Sequence, residues 1–372
     1  MKIVFVGLSG YDYPFVRIRC YHFARELEKL GISTRVISYR DHLSGGLSET
    51  DMFGCRERKR LAMNARCMKE LLKEGRDCLY YIQKIHYNAA TPYLLNRLLK
   101  IPYVLDYDDW DEGIEALFNR PWINGLFFGH SRYREIFLDV ARNARKIVVS
   151  SHFLLDICKP LNDNVVLIPT GVDTERFTPM DPPPKELTRF IWTGVVWGNK
   201  MMDNILFMLR CYSHVHREIP ATELIMVGGG QLWDEVRRVV QEQYPGQNIE
   251  VRDWIPPDEM PRFLAEADIG LLPLIQYDDP WVNSKSPTKF FEYMASGLAT
   301  VSSKVGELTH VITDGVVGFL AVDQDEFTDR MIRLASNRSQ RLEMGNRAAK
   351  TAKKCYSISK LGENLKEFLL NI

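Results

Sequence analysis

Residues 284–302 read Ser284-Lys285-Ser286-Pro287-Thr288-Lys289-Phe290-Phe291-Glu292-Tyr293-Met294-Ala295-Ser296-Gly297-Leu298-Ala299-Thr300-Val301-Ser302. Ser286 has the chemistry of an N-cap, and Pro287 suits the first helical position, where its missing N–H is no loss. Phe290, Phe291, Met294 and Ala295 can pack inward from the helix that follows. Gly297 closes that helix, and Ala299–Ser302 reads as a strand. A helix, a glycine and a buried strand in this order form one crossover unit of a parallel sheet.

The alternation extends outward from this unit. Downstream, Phe319–Val322 reads as a strand; upstream, so do Ile269–Leu272, Ile249–Val251, Glu223–Val227 and Phe190–Thr193. In the first half Lys2–Val6, Thr34–Ser38, Cys78–Ile82, Tyr103–Leu105, Lys146–Ser150 and Val165–Ile168 have the same character. Between the first two of these, Val16, Cys20, Phe23, Leu27 and Leu30 recur on one helical face that Gly31 stops. The pattern pauses at Phe177-Thr178-Pro179-Met180-Asp181-Pro182-Pro183-Pro184, where four prolines in eight residues admit neither helix nor central strand. The expectation is an α/β chain with two Rossmann-like, doubly wound parallel-sheet domains facing a central cleft. The domains are expected at 1–178 and 187–354, joined by a proline-rich linker at 179–186. A C-terminal helix at 355–372 is expected to pack back on the first domain.

Composition narrows the class. At 372 residues the chain is long enough for two cores, and 45% hydrophobic with 26% charged residues is globular. Lys and Arg total 48 and so do Asp and Glu, which argues against a nucleic-acid binder. Residues 1–178 carry 26 basic and 22 acidic side chains, so any affinity for anionic surfaces belongs to the first half. Seven scattered cysteines, none spaced C-x-x-C, point to a reducing compartment without a zinc site. With no signal-like or membrane-length apolar run, a cytoplasmic location is expected.

The start of the helix after Ser286 has two readings. It is a capped crossover helix and nothing more, or its free N–H groups bind a diphosphate while Glu292 accepts hydrogen bonds from ribose hydroxyls. A resemblance favours the second. Lys289 to Gly297, K-x-x-E-Y-M-A-S-G, resembles the donor-site signature of the family-4 retaining glycosyltransferases with the GT-B fold. Ile168-Pro169-Thr170-Gly171-Val172-Asp173 through Phe177-Thr178-Pro179 resembles the family's I-P-N-G-V-D-x-x-x-F-x-P segment. Leu224–Gly230 is similar to its L-x-I-V-G-x-G strand and turn, and Val305-Gly306-Glu307 with Asp314-Gly315-Val316-Val317-Gly318 to its V-G-x and D-G-x-x-G.

The resemblance implies roles residue by residue. Glu292 matches the second of two family glutamates, which contacts the ribose; Ser284 stands where the first would be. Lys285-Ser286-Pro287 replaces a G-F-G turn, and the resemblance implies that Ser284, Lys285 with its positive charge, Ser286, Pro287, Thr288 and Lys289 line the donor site. Lys200 matches the lysine that stabilises the leaving diphosphate, while Val195 stands at the companion arginine position. Gly194 and Gly229 fall at the strand ends on the donor side.

In the first half Ile101–Trp110 aligns with a strand that often ends in a catalytic-site His-Asp pair, with Asp108 in the histidine's place and Asp109 beside it, which implies a catalytic, acceptor-side contact for Asp108 and an acceptor-side one for Asp109. The alternative is an acidic cluster that caps a helix or pairs with arginines. The D-x-D spelling of Asp106-Tyr107-Asp108 is not read as a metal site, because the implied class is metal-independent. Gly7-Leu8-Ser9-Gly10 resembles the acceptor-side glycine loop. Arg17 and Arg19 just beyond it either meet a phosphate or, as the favoured reading, lie on a solvated face. His214 and His216 point to different faces and share no metal. Arg56–Arg60 opens an amphipathic segment with Leu61, Met63, Cys67, Met68, Leu71 and Leu72; it is a solvated helix or a site of peripheral docking to the inner face of an anionic membrane.

Together these imply transfer of a sugar from a UDP- or GDP-sugar to a glycan, lipid-linked or small-molecule hydroxyl acceptor, with retention and with neither metal nor other cofactor. The alternatives are a sugar-nucleotide epimerase or hydrolase on the same fold, and a catalytically silent nucleotide-sugar-binding module.

Overall fold

The computed structural model describes residues 2–111, 117–179, 186–277 and 280–371, the side chains of Glu49 and Thr50 apart. Most of the expected linker at 179–186 lies outside the described residues. Among the described residues twelve strands form, at Lys2–Gly7 (β1), Thr34–Ser38 (β2), Cys78–Gln83 (β3), Tyr103–Tyr107 (β4), Lys146–Val149 (β5), Val165–Leu167 (β6), Thr188–Val195 (β7), Thr222–Gly229 (β8), Ile249–Asp253 (β9), Ile269–Leu272 (β10), Ala299–Ser303 (β11) and Phe319–Ala321 (β12). They make two six-stranded sheets, ordered β2-β1-β3-β4-β5-β6 and β12-β11-β10-β7-β8-β9, and every pairing is parallel. The expected doubly wound α/β class is therefore present in both halves.

The chain divides into two compact units. One comprises Met1–Thr170, Ser284–Ser286 and Ile358–Ile372; the other comprises Gly171–Asn283 and Pro287–Ser357.

In the first unit the side-chain alternation of the strands separates two cores. Val4, Val6, Tyr80, Ile82, Tyr103 and Leu105 pack with residues of helices Glu57–Lys73, Ala90–Leu99 and Tyr133–Asn143. Ile3, Phe5, Leu79, Tyr81 and Val104 pack on the opposite face with the Pro14–Lys29 helical segment and the C-terminal helix Ile358–Leu370. That last helix buries Ile358, Leu361, Leu365 and Leu369, and its Lys366 donates to the Leu30 carbonyl at 2.9 Å. Both faces of the sheet are thus covered, as a parallel sheet requires.

The helix at Glu57–Lys73 uses its apolar face for this core: Met63, Cys67 and Leu71 are buried. The membrane reading is corrected for that face, because Met63, Cys67 and Leu71 pack inside the unit; Leu72, 53% exposed, lies off it.

In the second unit the chain runs β7, β8, β9 to one side and β10, β11, β12 to the other. The order reverses between the neighbours β7 and β10, so a crevice opens at their carboxyl ends, where doubly wound sheets take ligands. Phe190, Trp192, Leu224, Met226 and Ile269 face one core, and Ile191, Ile225, Val227 and Leu272 the other.

Candidate functional site

Glycines shape the carboxyl ends of β7 and β8. Gly194 pairs with Gly228 and Val195 with Gly229 in the parallel register. Beyond them Gly230 turns with φ +105°, and a Cβ there would lie 2.6 Å from the Val196 carbonyl oxygen. Only glycine fits that turn without strain. The Val196 N–H donates to the Gly229 carbonyl at 2.8 Å, so the two strand ends are joined beyond the sheet.

Gly198 then precedes the twenty-residue helix Asn199–Glu218. Lys200 stands exposed in its first turn, its Nζ 5.2 Å from the centre of the Tyr277 ring. Tyr277 in turn donates to Asp203 at 2.8 Å. A cation in the first turn opposes the helix dipole, and an anion bound there offsets the cost.

The helix of the signature segment spans Thr288–Ala295. The Ser286 cap and the Pro287 first turn are corrected by one residue: Pro287 occupies the cap position and no side chain caps the helix. Ser286 is committed elsewhere. Its Oγ accepts from the Thr170 N–H at 3.1 Å, and Thr170 Oγ1 donates to its carbonyl at 3.0 Å.

Tyr293 explains why this helix sits where it does. Its hydroxyl accepts from the Thr193 N–H at 3.0 Å, and its ring lies so close to Gly270 that a Cβ there would be 2.4 Å from Cδ2. One side chain therefore ties the helix to both β7 and β10, at the reversal of strand order. Glu292 is buried, and the Lys289 ammonium lies 4.3 Å from the centre of a Trp192 ring.

In the first unit the arginines lie inside. Arg19 is fully buried; its guanidinium binds both Asp106 oxygens at 2.5–3.1 Å and donates to the Ile168 carbonyl at 2.6 Å. Tyr81 also donates to Asp106, at 2.9 Å. Arg17, 6% exposed, donates to the carbonyls of Asp12 and Tyr11 at 3.0 and 3.3 Å. The solvated-face reading of both arginines is therefore wrong. Over Arg17–His22 the helix widens to π-type turns, where a period of 3.6 residues no longer assigns faces. Arg17 braces the loop that begins at Gly7 and Gly10, which Asp41 also holds by accepting from the Tyr11 N–H at 2.9 Å.

Asp108 and Asp109 follow β4 directly and meet a lysine that sequence reasoning missed. Lys84, just past β3 with φ +63°, places its Nζ 3.8 Å from Asp108, 3.5 Å from Asp109 and 3.5 Å from Asp111. Gln83 Nε2 donates to both Asp108 oxygens at 3.1 and 3.2 Å, and His86 Nε2 lies 3.2 Å from Asp111. The signal available was a run of polar residues, Gln83, Lys84 and His86, at the carboxyl end of an otherwise buried strand.

Burial pushes the Asp108 carboxyl up to about 7 against the pull of Lys84. Burial acts on Asp109 in the same direction. There Lys285 at 3.5 Å, Lys84 and a 3.0 Å bond from Ser284 prevail and hold it down at about 2. Two adjacent carboxyls are thus set apart in charge. Ser284 and Lys285, which count with this unit, are engaged with Asp109. Among the described residues no group of three or more His, Cys, Asp or Glu is arranged to hold a metal ion.

Two parallel, doubly wound six-stranded sheets define the GT-B fold class. The comparisons with known proteins agree. The family "Glycosyl transferases group 1" matches residues 188–337, and "Glycosyltransferase Family 4" matches residues 16–176. The chain belongs to these group 1, family 4 glycosyltransferases.

The fold is similar to that of sucrose-phosphate synthase from Thermosynechococcus elongatus (TM-score 0.73, 13% identity, 99% of this chain and 98% of that one). It is also similar to Anabaena HepE, solved in complex with UDP (TM-score 0.67, 14% identity, all of both chains). In sequence the chain is 24% identical over 190 residues to a GDP-mannose-dependent alpha-(1-6)-phosphatidylinositol monomannoside mannosyltransferase of Mycolicibacterium smegmatis. That match covers 48% of this chain and spans about half, 49%, of that enzyme's length.

Proposed function

We propose that this chain transfers a glycosyl group from a nucleoside diphosphate sugar to a hydroxyl of an acceptor, with retention of anomeric configuration. The observation that carries the reading is the Tyr293-anchored helix at the ends of β7 and β10, beside glycine-lined strand ends. The N–H groups of Thr288 and Lys289 cradle the diphosphate, Gly194 and Gly229 admit it, and Glu292 holds the ribose. As the bond to the anomeric carbon stretches, positive charge grows on the sugar and negative charge on the leaving diphosphate. Lys200 stabilises the second, and a phosphate oxygen takes the acceptor's proton. In the first unit Asp108, with Asp109 and the Gly7–Gly10 loop, contacts the acceptor. Ser284 and Lys285 act there through Asp109. The acceptor is a glycan, a lipid-linked sugar or a small hydroxyl compound, and the enzyme works on the cytoplasmic side.

UDP is the first nucleotide to test, because HepE was solved with it; GDP is the second, because the mannosyltransferase uses GDP-mannose. The chain is incubated with a panel of UDP- and GDP-sugars, with and without lipid and glycan acceptors. Release of nucleoside diphosphate that requires an acceptor supports transfer. Equal release without any acceptor would make the chain a hydrolase or epimerase, and binding without release would make it a silent module.

A further inference from the structure

The first unit carries an apolar surface that its own core leaves uncovered. Trp122 is 63% exposed, Leu126 61% and Leu98 68%, the three largest values among the exposed large hydrophobic side chains of its described residues. Trp122 and Leu126 are four residues apart in the helix Pro121–Phe128 and therefore share a face. Their helix packs on Ala90–Leu99, the helix that carries Leu98. The two are joined next to these residues: Phe128 stacks on Tyr93, and Arg97 donates to the Phe127 carbonyl at 3.2 Å. The opposite side of the short helix, Ile123 and Phe128, already fills the core, so the exposed side is surplus to folding.

Exposed basic residues flank these side chains in the chain. Arg97, Lys100, Arg120, Arg132 and Arg134 are all exposed and lie on the same helices or the segments that flank them. Of the described acids nearby, Glu57 accepts from the backbone N–H groups of Asn119 and Arg120, at 3.0 and 3.2 Å. Asp139 accepts from Tyr93 at 2.5 Å. Glu135 stands exposed.

We infer that this face docks on an anionic lipid bilayer, with Trp122, Leu126 and Leu98 entering the interface and the flanking basic residues meeting lipid phosphates. Tryptophan favours the headgroup level, leucine the acyl boundary beneath it, and arginine the anionic surface. Charge also decides against a second copy of the chain. A two-fold dimer through this patch would bring one set of basic residues against another. The inference is independent of the transferase reading and differs from docking through the Glu57–Lys73 helix, whose apolar side is buried.

The test is co-sedimentation of the full chain with vesicles of phosphatidylcholine alone, and with vesicles in which about a third of the lipid is phosphatidylglycerol. The chain should pellet with the anionic vesicles, weakly or not at all with the neutral ones, and less as salt is raised. The double variant Trp122→Ser, Leu126→Ser should bind at least about tenfold more weakly, and Arg120→Glu with Arg132→Glu should abolish the preference for anionic lipid. Both positions of the first variant are exposed, so its melting curve and nucleotide binding should match the parent. These two readouts keep a failure here separate from a failure of the transferase reading. Absence of wild-type binding to anionic vesicles overturns the inference. So does equal binding by the double variant, or a wild-type dimer in light scattering that the double variant dissociates.

Discussion

Asp108 is the residue whose chemistry is most exposed to experiment. Its carboxyl ordinarily titrates near 3.8 and in the fold near 7. Between those values the folded chain keeps a proton that the unfolded chain has released, so the contribution to stability is complete below about pH 4 and fades as pH rises through 7. Asp108→Asn holds the neutral form at every pH. Its melting temperature should equal the parent's below about pH 4, and its advantage should grow from there through pH 7 to about 5 °C at pH 8. A difference that does not grow with pH would place the burial effect elsewhere. Activity should move the opposite way. If the charged carboxyl contacts the acceptor, turnover in the parent rises through pH 7, and the variant is slow and flat. On the donor side two residues should separate kinetically. Glu292→Gln removes a contact present before and during reaction, and should mainly raise KM for the donor. Lys200→Ala removes one that grows as the diphosphate leaves, and should lower kcat on the order of a hundredfold. Steady-state kinetics with the donor varied reads both. Equal effects on kcat and KM in the two variants would refute this division.

At the level of elements, the helix at Thr288–Ala295 shows what local pattern carries and where it stops. Its apolar side chains, its closing Gly297 and the strand after it are all recoverable from residue type and spacing. The twelve strands were legible for the same reason: buried parallel strands are short β-branched and aromatic runs between turn residues. What binds the helix to the sheet was not legible, because Tyr293 meets Thr193 a hundred residues away. Arg19 finds Asp106 across 87 residues, and nothing local distinguishes it from a solvated arginine. Lys84 escaped notice because its partners sit on another strand end. Ser286 was misassigned because a cap is a bond, not a residue type, and here the bond goes to Thr170. The Tyr293 anchor makes a prediction. Gly270→Ala puts a methyl 2.4 Å from the ring and should cost about 1–3 kcal/mol in urea unfolding, with weaker nucleotide binding alongside. Tyr293→Phe keeps the packing, loses only the two bonds to Thr193, through its N–H and its hydroxyl, and should cost about 1–2 kcal/mol. If Gly270→Ala unfolds no more easily than the parent, the close packing is not what positions the helix.

For the whole molecule, the chain passes four times from one compact unit to the other, at 170/171, 283/284, 286/287 and 357/358. Each unit nevertheless has its own parallel sheet and its own pair of cores. A ligand held by one unit should therefore leave a local imprint. UDP at about a hundred times its dissociation constant adds about 2.7 kcal/mol to the stability of whatever binds it. Hydrogen exchange with and without UDP locates that gain. Protection should rise at the carboxyl ends of β7 and β8, in the first turn of Asn199–Glu218 and through Thr288–Ala295. It should stay unchanged in β1 and β3, whose amides lie in the other sheet. GDP serves as the parallel arm, and whichever nucleotide protects at lower concentration is the base the donor carries. Protection at Asp106–Asp111 without any at Thr288–Ala295 would move the nucleotide to the first unit and leave Glu292 and Lys200 without the roles assigned to them.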